Sequence, residues 1–127
     1  MVKSIRDAEA SGHDASVMQS LTPTMFYILL ALGDVERHGY GIMQELGSRT
    51  EGRVKLGPGT LYGSIKRMLA EGLIVESAER PGLETGDERR RYYRLTNLGR
   101  RVAMQEARLL ARLVEVAREK KLLGEEN

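Results

Sequence analysis

Neither cysteine nor tryptophan occurs in this chain of 127 residues, and proline occurs only three times. Without cysteine there is no disulfide framework, no thiolate metal site and no cysteine nucleophile, which accords with a cytoplasmic protein. The two histidines, His13 and His38, have no partners at ligand spacing, so no metal site is expected. Long apolar runs are missing too. The longest, residues 25–32, falls far short of the ~18 residues of a membrane span, and no membrane partner is expected. Residues 1–20 lack the apolar centre of a secretory signal. There is no His/Asp/Ser constellation and no glycine-rich phosphate loop after a strand, so neither an enzyme nor a cofactor is indicated.

What is present is one domain's worth of charge-rich chain, 41% apolar and 30% charged. The net charge of +2 says little as a total. Its distribution says more. Every charge from Arg53 to Arg67 is positive (Arg53, Lys55, Lys66 and Arg67), and Arg89, Arg90, Arg91 and Arg94 stand against the single acid Glu88. A basic footprint concentrated in two stretches is the pattern of a surface that meets a polyanion.

The first of these stretches organises the chain. In residues 57–73, GPGTLYGSIKRMLAEGL, Pro58 suits the first position of a helix, and Gly72 suits its end. Leu61, Ile65, Met68 and Leu69 recur at spacings of three and four and form one apolar stripe. The opposite side holds Gly59, Gly63 and Lys66, flanked by Thr60 and Arg67, with no carboxylate until Glu71. A face that is small, basic and free of acids can lie in a DNA major groove without being held off the phosphates.

The surrounding chain supplies the context such a helix needs. Residues 1–20 read as a flexible arm. Thr22 and Pro23 open a first helix, apolar almost all round and therefore expected to be buried, which stops at Gly33. Residues 34–38 read as a polar connection, with His38 a turn residue. A second helix follows over 39–48, with Tyr40, Ile42, Met43 and Leu46 as its inward positions. Residues 73–79 and 88–95 then read as two strands of a hairpin around a turn-rich tip. Arg80 stands at the base of that tip and Arg89, Arg90 and Arg91 lead out of it. The sum is a mainly α fold with a small β-hairpin: a winged helix-turn-helix over 21–95.

Thr96 then caps one long helix reaching to about residue 123. Val102, Leu109, Leu113 and Val116 form one apolar line, and Ala103, Ala107, Leu110, Val114 and Ala117 form another beside it. So wide a stripe exceeds what a domain this small can cover. The stripe could fold back on the chain's own first helix, but the favoured reading makes 96–127 a dimerisation segment, with Val102, Leu109, Leu110, Leu113, Val114 and Ala117 at the interface. The same winged helix could instead serve as a protein-interaction or oligomerisation module that binds no DNA. A protein-docking face would carry exposed apolar anchors where this one carries glycine, lysine and arginine.

Three segments resemble the PadR family of bacterial transcriptional regulators. LTPTMFYILLAL with HGYGIMQEL is similar to the family's first helix and the opening of its second. GPGTLYGSIKRMLAEGLI is similar to its recognition helix, and RRRYYRLTNLGR to the strand that leads into its dimerisation helix. In order, they cover residues 21–101. The resemblance implies a dimeric winged-helix repressor on a double-stranded DNA operator, often released by a small apolar or aromatic inducer at the dimer interface. It places DNA contacts at Thr60, Tyr62 and Lys66 and at Arg90 or Arg91. With the basic residues read directly from the sequence, the expected DNA-binding set is Lys55, Thr60, Tyr62, Gly63, Lys66, Arg67, Arg80, Arg89, Arg90 and Arg91. Gly63 stands where many members carry proline, and some members hold planar ligands with a tryptophan that this chain lacks.

Overall fold

A computed structural model describes residues 21–77 and 91–124. The arm, the hairpin tip and the last three residues, and with them Arg80, Arg89 and Arg90, lie outside the described residues. Helix α1 (Pro23–Ala31) begins where Thr22 accepts a hydrogen bond from the Met25 amide at 3.1 Å, with Pro23 in the first turn. Met25, Ile28, Leu29 and Ala31 are buried. Leu30, however, is 57% exposed. The helix is thus apolar almost all round without being covered all round, because Leu30 faces an open cavity lined also by Tyr27, Glu45, Arg49 and Val54.

Beyond α1 the chain does more than connect. Arg37 donates from Nε to the Ala31 carbonyl at 2.7 Å, satisfying an orphan acceptor at the helix end. Its other nitrogen faces Asp34 at 3.2 Å and Glu45 at 3.4 Å. Arg37–His38 is itself a short strand, β1, where the sequence reads as a polar link. Two residues are too few to show a period, so only pairing with a distant strand reveals them. Helix α2 (Gly39–Arg49) follows, and Ile42 and Leu46 face the core. Tyr40, expected inward, is exposed instead, because the buried line runs Gly39, Ile42, Leu46 and leaves Tyr40 on the other side.

The turn into α3 (Pro58–Ala70) is pinned by Thr50, which donates to the Leu46 carbonyl at 2.7 Å and accepts from the Val54 amide at 2.9 Å. Leu61, Ile65 and Met68 bury the inner face of α3, and Leu69 packs partly against the same core. Gly72 ends it in the left-handed region at φ +79°, while the Leu73 amide reaches back to the Met68 carbonyl at 2.9 Å.

Strands β2 (Ile74–Glu76) and β3 (Tyr92–Leu95) pair antiparallel with Val75 opposite Arg94. Both fall within the expected 73–79 and 88–95; Leu73, Ser77 and Arg91 are not strand, and 78–79 and 88–90 lie outside the described residues. β1 adds to the far edge of β3, with His38 opposite Tyr92, so the sheet runs β1-β3-β2 and has three strands where a two-stranded hairpin was expected. Thr96 then caps the long helix α4 (Asn97–Glu119), accepting from the Gly99 amide at 2.9 Å.

The core gathers Ile28, Leu29, Ile42, Leu61, Met68, Leu73, Ile74 and Val102 from three helices, the sheet and the root of α4. Burying each such side chain contributes about 1.5–3 kcal/mol. Val102 is a correction to the sequence reading. It is fully buried within its own subunit and has no surface to offer a partner. Its place in the first turns of α4, directly over the core, accounts for this. The rest of α4 continues for about 25 Å past it, with Leu109, Leu110, Leu113 and Val114 exposed.

Candidate nucleic-acid interface

Helix α3 enters solvent with its N-terminus unobstructed. Gly57 occupies the N-cap without a side-chain hydrogen bond, and no acidic residue lies in the first turn. Gly59, Thr60, Gly63 and Lys66 are all exposed, on the side away from the buried Leu61–Ile65–Met68 line. Among the described residues, apart from the neighbouring residues and the helix's own backbone, no atom approaches within 4 Å of where a side chain would begin at Gly57, Gly59 or Gly63. None of the three has a positive φ, so neither space within the chain nor backbone conformation calls for glycine there. Glycine in a helix costs about 0.5–1 kcal/mol against alanine. The result is an open strip, about two helical turns long from Gly59 to the lysine at its end, Lys66.

The turn before α3 carries the exposed Arg53 and Lys55. Its shape is set by two consecutive left-handed residues, Glu51 at φ 55° and Gly52 at φ +81°, with the Gly52 amide bonded to the Gly47 carbonyl at 2.8 Å. Lys55 and Lys66 therefore flank the two ends of the glycine strip. Arg67 is only partly exposed, and its Nε lies 3.0 Å from Glu71 Oε2 one turn on. Part of its charge is answered within the helix.

At the sheet, Arg91 is exposed and paired with Glu76 across β2 and β3 at 2.9 Å. The Glu76 carboxylate, first through that hydrogen bond and then through its charge, holds the Arg91 guanidinium above its ordinary pKa. Beneath it, burial pushes the Tyr93 phenol up, with Glu76 adding to the effect.

Tyr62 stands apart from the other expected contacts. It is 47% exposed, yet its ring edge and hydroxyl rest on the backbone of Gly39 at the start of α2. The sequence reading also missed His38. It is the N-cap of α2, its Nδ1 accepting from the Gly41 amide at 2.9 Å. Its ring stacks on Tyr40 at 6.5 Å and meets Tyr92 edge-on at 5.1 Å. A histidine directly before a glycine-led helix was the available sign, though histidine is not among the usual capping residues.

Three helices around one core, a three-stranded antiparallel sheet and an exposed basic third helix define a winged helix-turn-helix protein. A family model described as the PadR-like family of transcriptional regulators matches residues 28–105. The chain belongs to that family. It is 41% identical over 93 residues to a Mycobacterium tuberculosis transcriptional regulator, covering 73% of this chain and 78% of that protein. It is also 40% identical over 86 residues, 68% of its length, to an uncharacterised 37.1 kDa protein of a Streptomyces fradiae transposon, of which it spans 22%. Two solved structures share the fold. A Clostridium thermocellum transcriptional regulator superposes with a TM-score of 0.62 at 22% identity, over 82% of this chain and 93% of that one. Bacillus subtilis PadR, solved with operator DNA, gives 0.54 at 20% identity, over 65% of this chain and 45% of that one.

Proposed function

We propose that the chain is a sequence-specific regulator that binds double-stranded DNA as a homodimer and represses transcription until a small apolar or aromatic inducer releases it. The observation that carries the reading is the open, acid-free face of α3, where Gly59, Thr60, Gly63 and Lys66 are exposed together. A major groove admits a helix only if its leading face is thin and compatible with phosphates. Lys55 and Lys66 supply phosphate contacts that hold the register, and Thr60 reaches base edges. Arg91 adds a contact beside the sheet, together with Arg80, Arg89 and Arg90 from the wing.

Two such helices require two subunits. The stripe Leu109, Leu110, Leu113, Val114 and Ala117 on α4 provides the contact, and the length of α4 sets the distance between half-sites. An inducer seated between α4 and α1 would tilt the subunits and spoil that distance. A coupling of ~1–3 kcal/mol is enough for such a switch.

Fluorescence anisotropy of the purified protein on duplex DNA from upstream of its own gene tests this, with a scrambled duplex and a salt series alongside. Tight binding to the native duplex, falling with log salt at ~0.9 per phosphate contact, is the expected result. Equal and weak binding to both duplexes would remove the operator from the reading.

A further inference from the structure

The contact between Tyr62 and Gly39 has a role distinct from DNA contact. A Cβ built on Gly39 would overlap the Tyr62 hydroxyl and lie 2.6 Å from its Cζ and 2.8 Å from its Cε1. Gly39 has no positive φ that would call for glycine. It opens α2, where intrinsic propensity favours alanine over glycine. The Tyr62 side chain, which supplies the three nearest atoms, is therefore a reason for glycine at 39. This contrasts with Gly59 and Gly63 on α3 itself, which no atom of another element crowds among the described residues.

The ring joins the two helices of the helix-turn-helix outside their buried core. The shared core includes Ile42 and Leu46 of α2 and Leu61, Ile65 and Met68 of α3. Leu61, Ile65 and Met68 hold the inner face of α3 in the core, and a contact on its outer flank trims the helix's roll about its own axis. Tyr62 sits beside Leu61 on the exposed flank, so its ring bears on α2 off that axis. Tyrosine suits the task because two torsions place a large rigid body.

We propose that Tyr62 is a positioning residue: seated on the bare backbone of Gly39, it sets the roll of α3 and hence the direction in which Thr60, Gly63 and Lys66 face the groove. The proposal rests on the DNA-binding reading above. It assigns to the ring what a direct contact would assign to the hydroxyl.

The test uses the full-length protein with Gly39→Ala, Tyr62→Phe, Tyr62→Leu and the Gly39→Ala/Tyr62→Leu double variant. The readouts are anisotropy on the native upstream duplex over a salt series, and melting to verify the fold. Tyr62→Phe should bind within about twofold of the wild type with an unchanged salt slope, since the ring remains. Gly39→Ala and Tyr62→Leu should each weaken binding roughly tenfold at an unchanged slope, and the double variant no further, as expected when one contact is removed twice. In the free protein a nuclear Overhauser contact between the Gly39 Hα and the Tyr62 ring is expected, and its absence overturns the proposal. So does a Tyr62→Phe variant that loses affinity together with ~0.9 of salt slope, which would make the hydroxyl a phosphate contact. Gly39→Ala binding as wild type overturns the positioning role alone, whereas wild-type protein that binds neither duplex overturns it along with the DNA reading.

Discussion

The backbone of Gly99 rests against the carbonyl oxygen of Leu73, with no room between them for a side chain. This contact joins the long helix to the winged helix-turn-helix. Around it, Thr96 Oγ1 lies 2.6 Å from the Gly72 carbonyl oxygen and 3.0 Å from that of Leu73, within donating distance of both, while accepting from the Gly99 amide. The Thr96 amide donates to the Leu73 carbonyl at 3.1 Å. The exit of α3 and the root of α4 are thus one hydrogen-bonded joint, and the angle of α4 is fixed there.

Substituting Gly99 by alanine drives a methyl group into backbone, with Leu73 C only 3.0 Å from the new carbon. Backbone cannot swing aside as a side-chain tip can, so a loss of about 1–3 kcal/mol is expected. Thr96→Ala removes the cap and should cost ~1 kcal/mol. Thermal melts followed by circular dichroism measure both. A Gly99→Ala protein that melts at or above the wild-type temperature would mean that the joint is looser than described.

Gly63→Ala should act in the opposite direction on stability. Its surroundings are open and its backbone is ordinary helix, so the change gains about 0.5–1 kcal/mol of helix propensity. On DNA the same methyl group thickens the face that enters the groove. The expected pair of results is a higher melting temperature with a lower affinity. Higher stability with unchanged affinity would place Gly63 away from the duplex.

Lys66 and Arg91 differ in what already answers their charge. Lys66 is exposed on α3, so Lys66→Ala should lower the salt slope by ~0.9 on native and scrambled duplexes alike. Arg91 is held by Glu76 at 2.9 Å, so truncating it should have the smaller effect. Glu76→Gln removes that competing carboxylate and should tighten binding at low salt. Anisotropy titrations that rank Arg91→Ala above Lys66→Ala in lost affinity would reverse this assignment.

Much of this fold was legible because single residues carry single instructions. Thr22-Pro23, Gly57-Pro58, Gly72 and Thr96 each mark a helix end, and each end stands where those residues put it. Strand β1 was not legible, since Arg37 and His38 are strand only by virtue of Tyr92 and Tyr93, which lie more than fifty residues away. Tyr40 was misplaced because periodicity over one short helix does not fix the phase of its first turn. The roles of Gly39 and Gly99 were hidden for a related reason. A glycine demanded by a distant atom looks in sequence like any other glycine. The stripe of α4 was visible as a stripe, but the line between its covered root at Val102 and its open remainder depends on where the core ends.

That line separates two kinds of substitution on one helix. Val102 is fully buried, so Val102→Ala should destabilise the subunit itself by on the order of 2 kcal/mol. Leu113 is 52% exposed on the same stripe and touches no core, so a charge there leaves the subunit's own packing intact. In a dimer built on α4, however, a Leu113→Glu change buries two like charges against apolar partners. The dimer should then dissociate, as light scattering coupled to size-exclusion chromatography would report, and affinity for the full operator should fall toward that for a half-site. Because dimerisation contributes to stability by mass action, the wild-type melting temperature should rise with protein concentration and that of Leu113→Glu should not. A Leu113→Glu protein that keeps the wild-type mass in solution would move the subunit contact off this face of α4, and with it the half-site spacing that α4 is proposed to set.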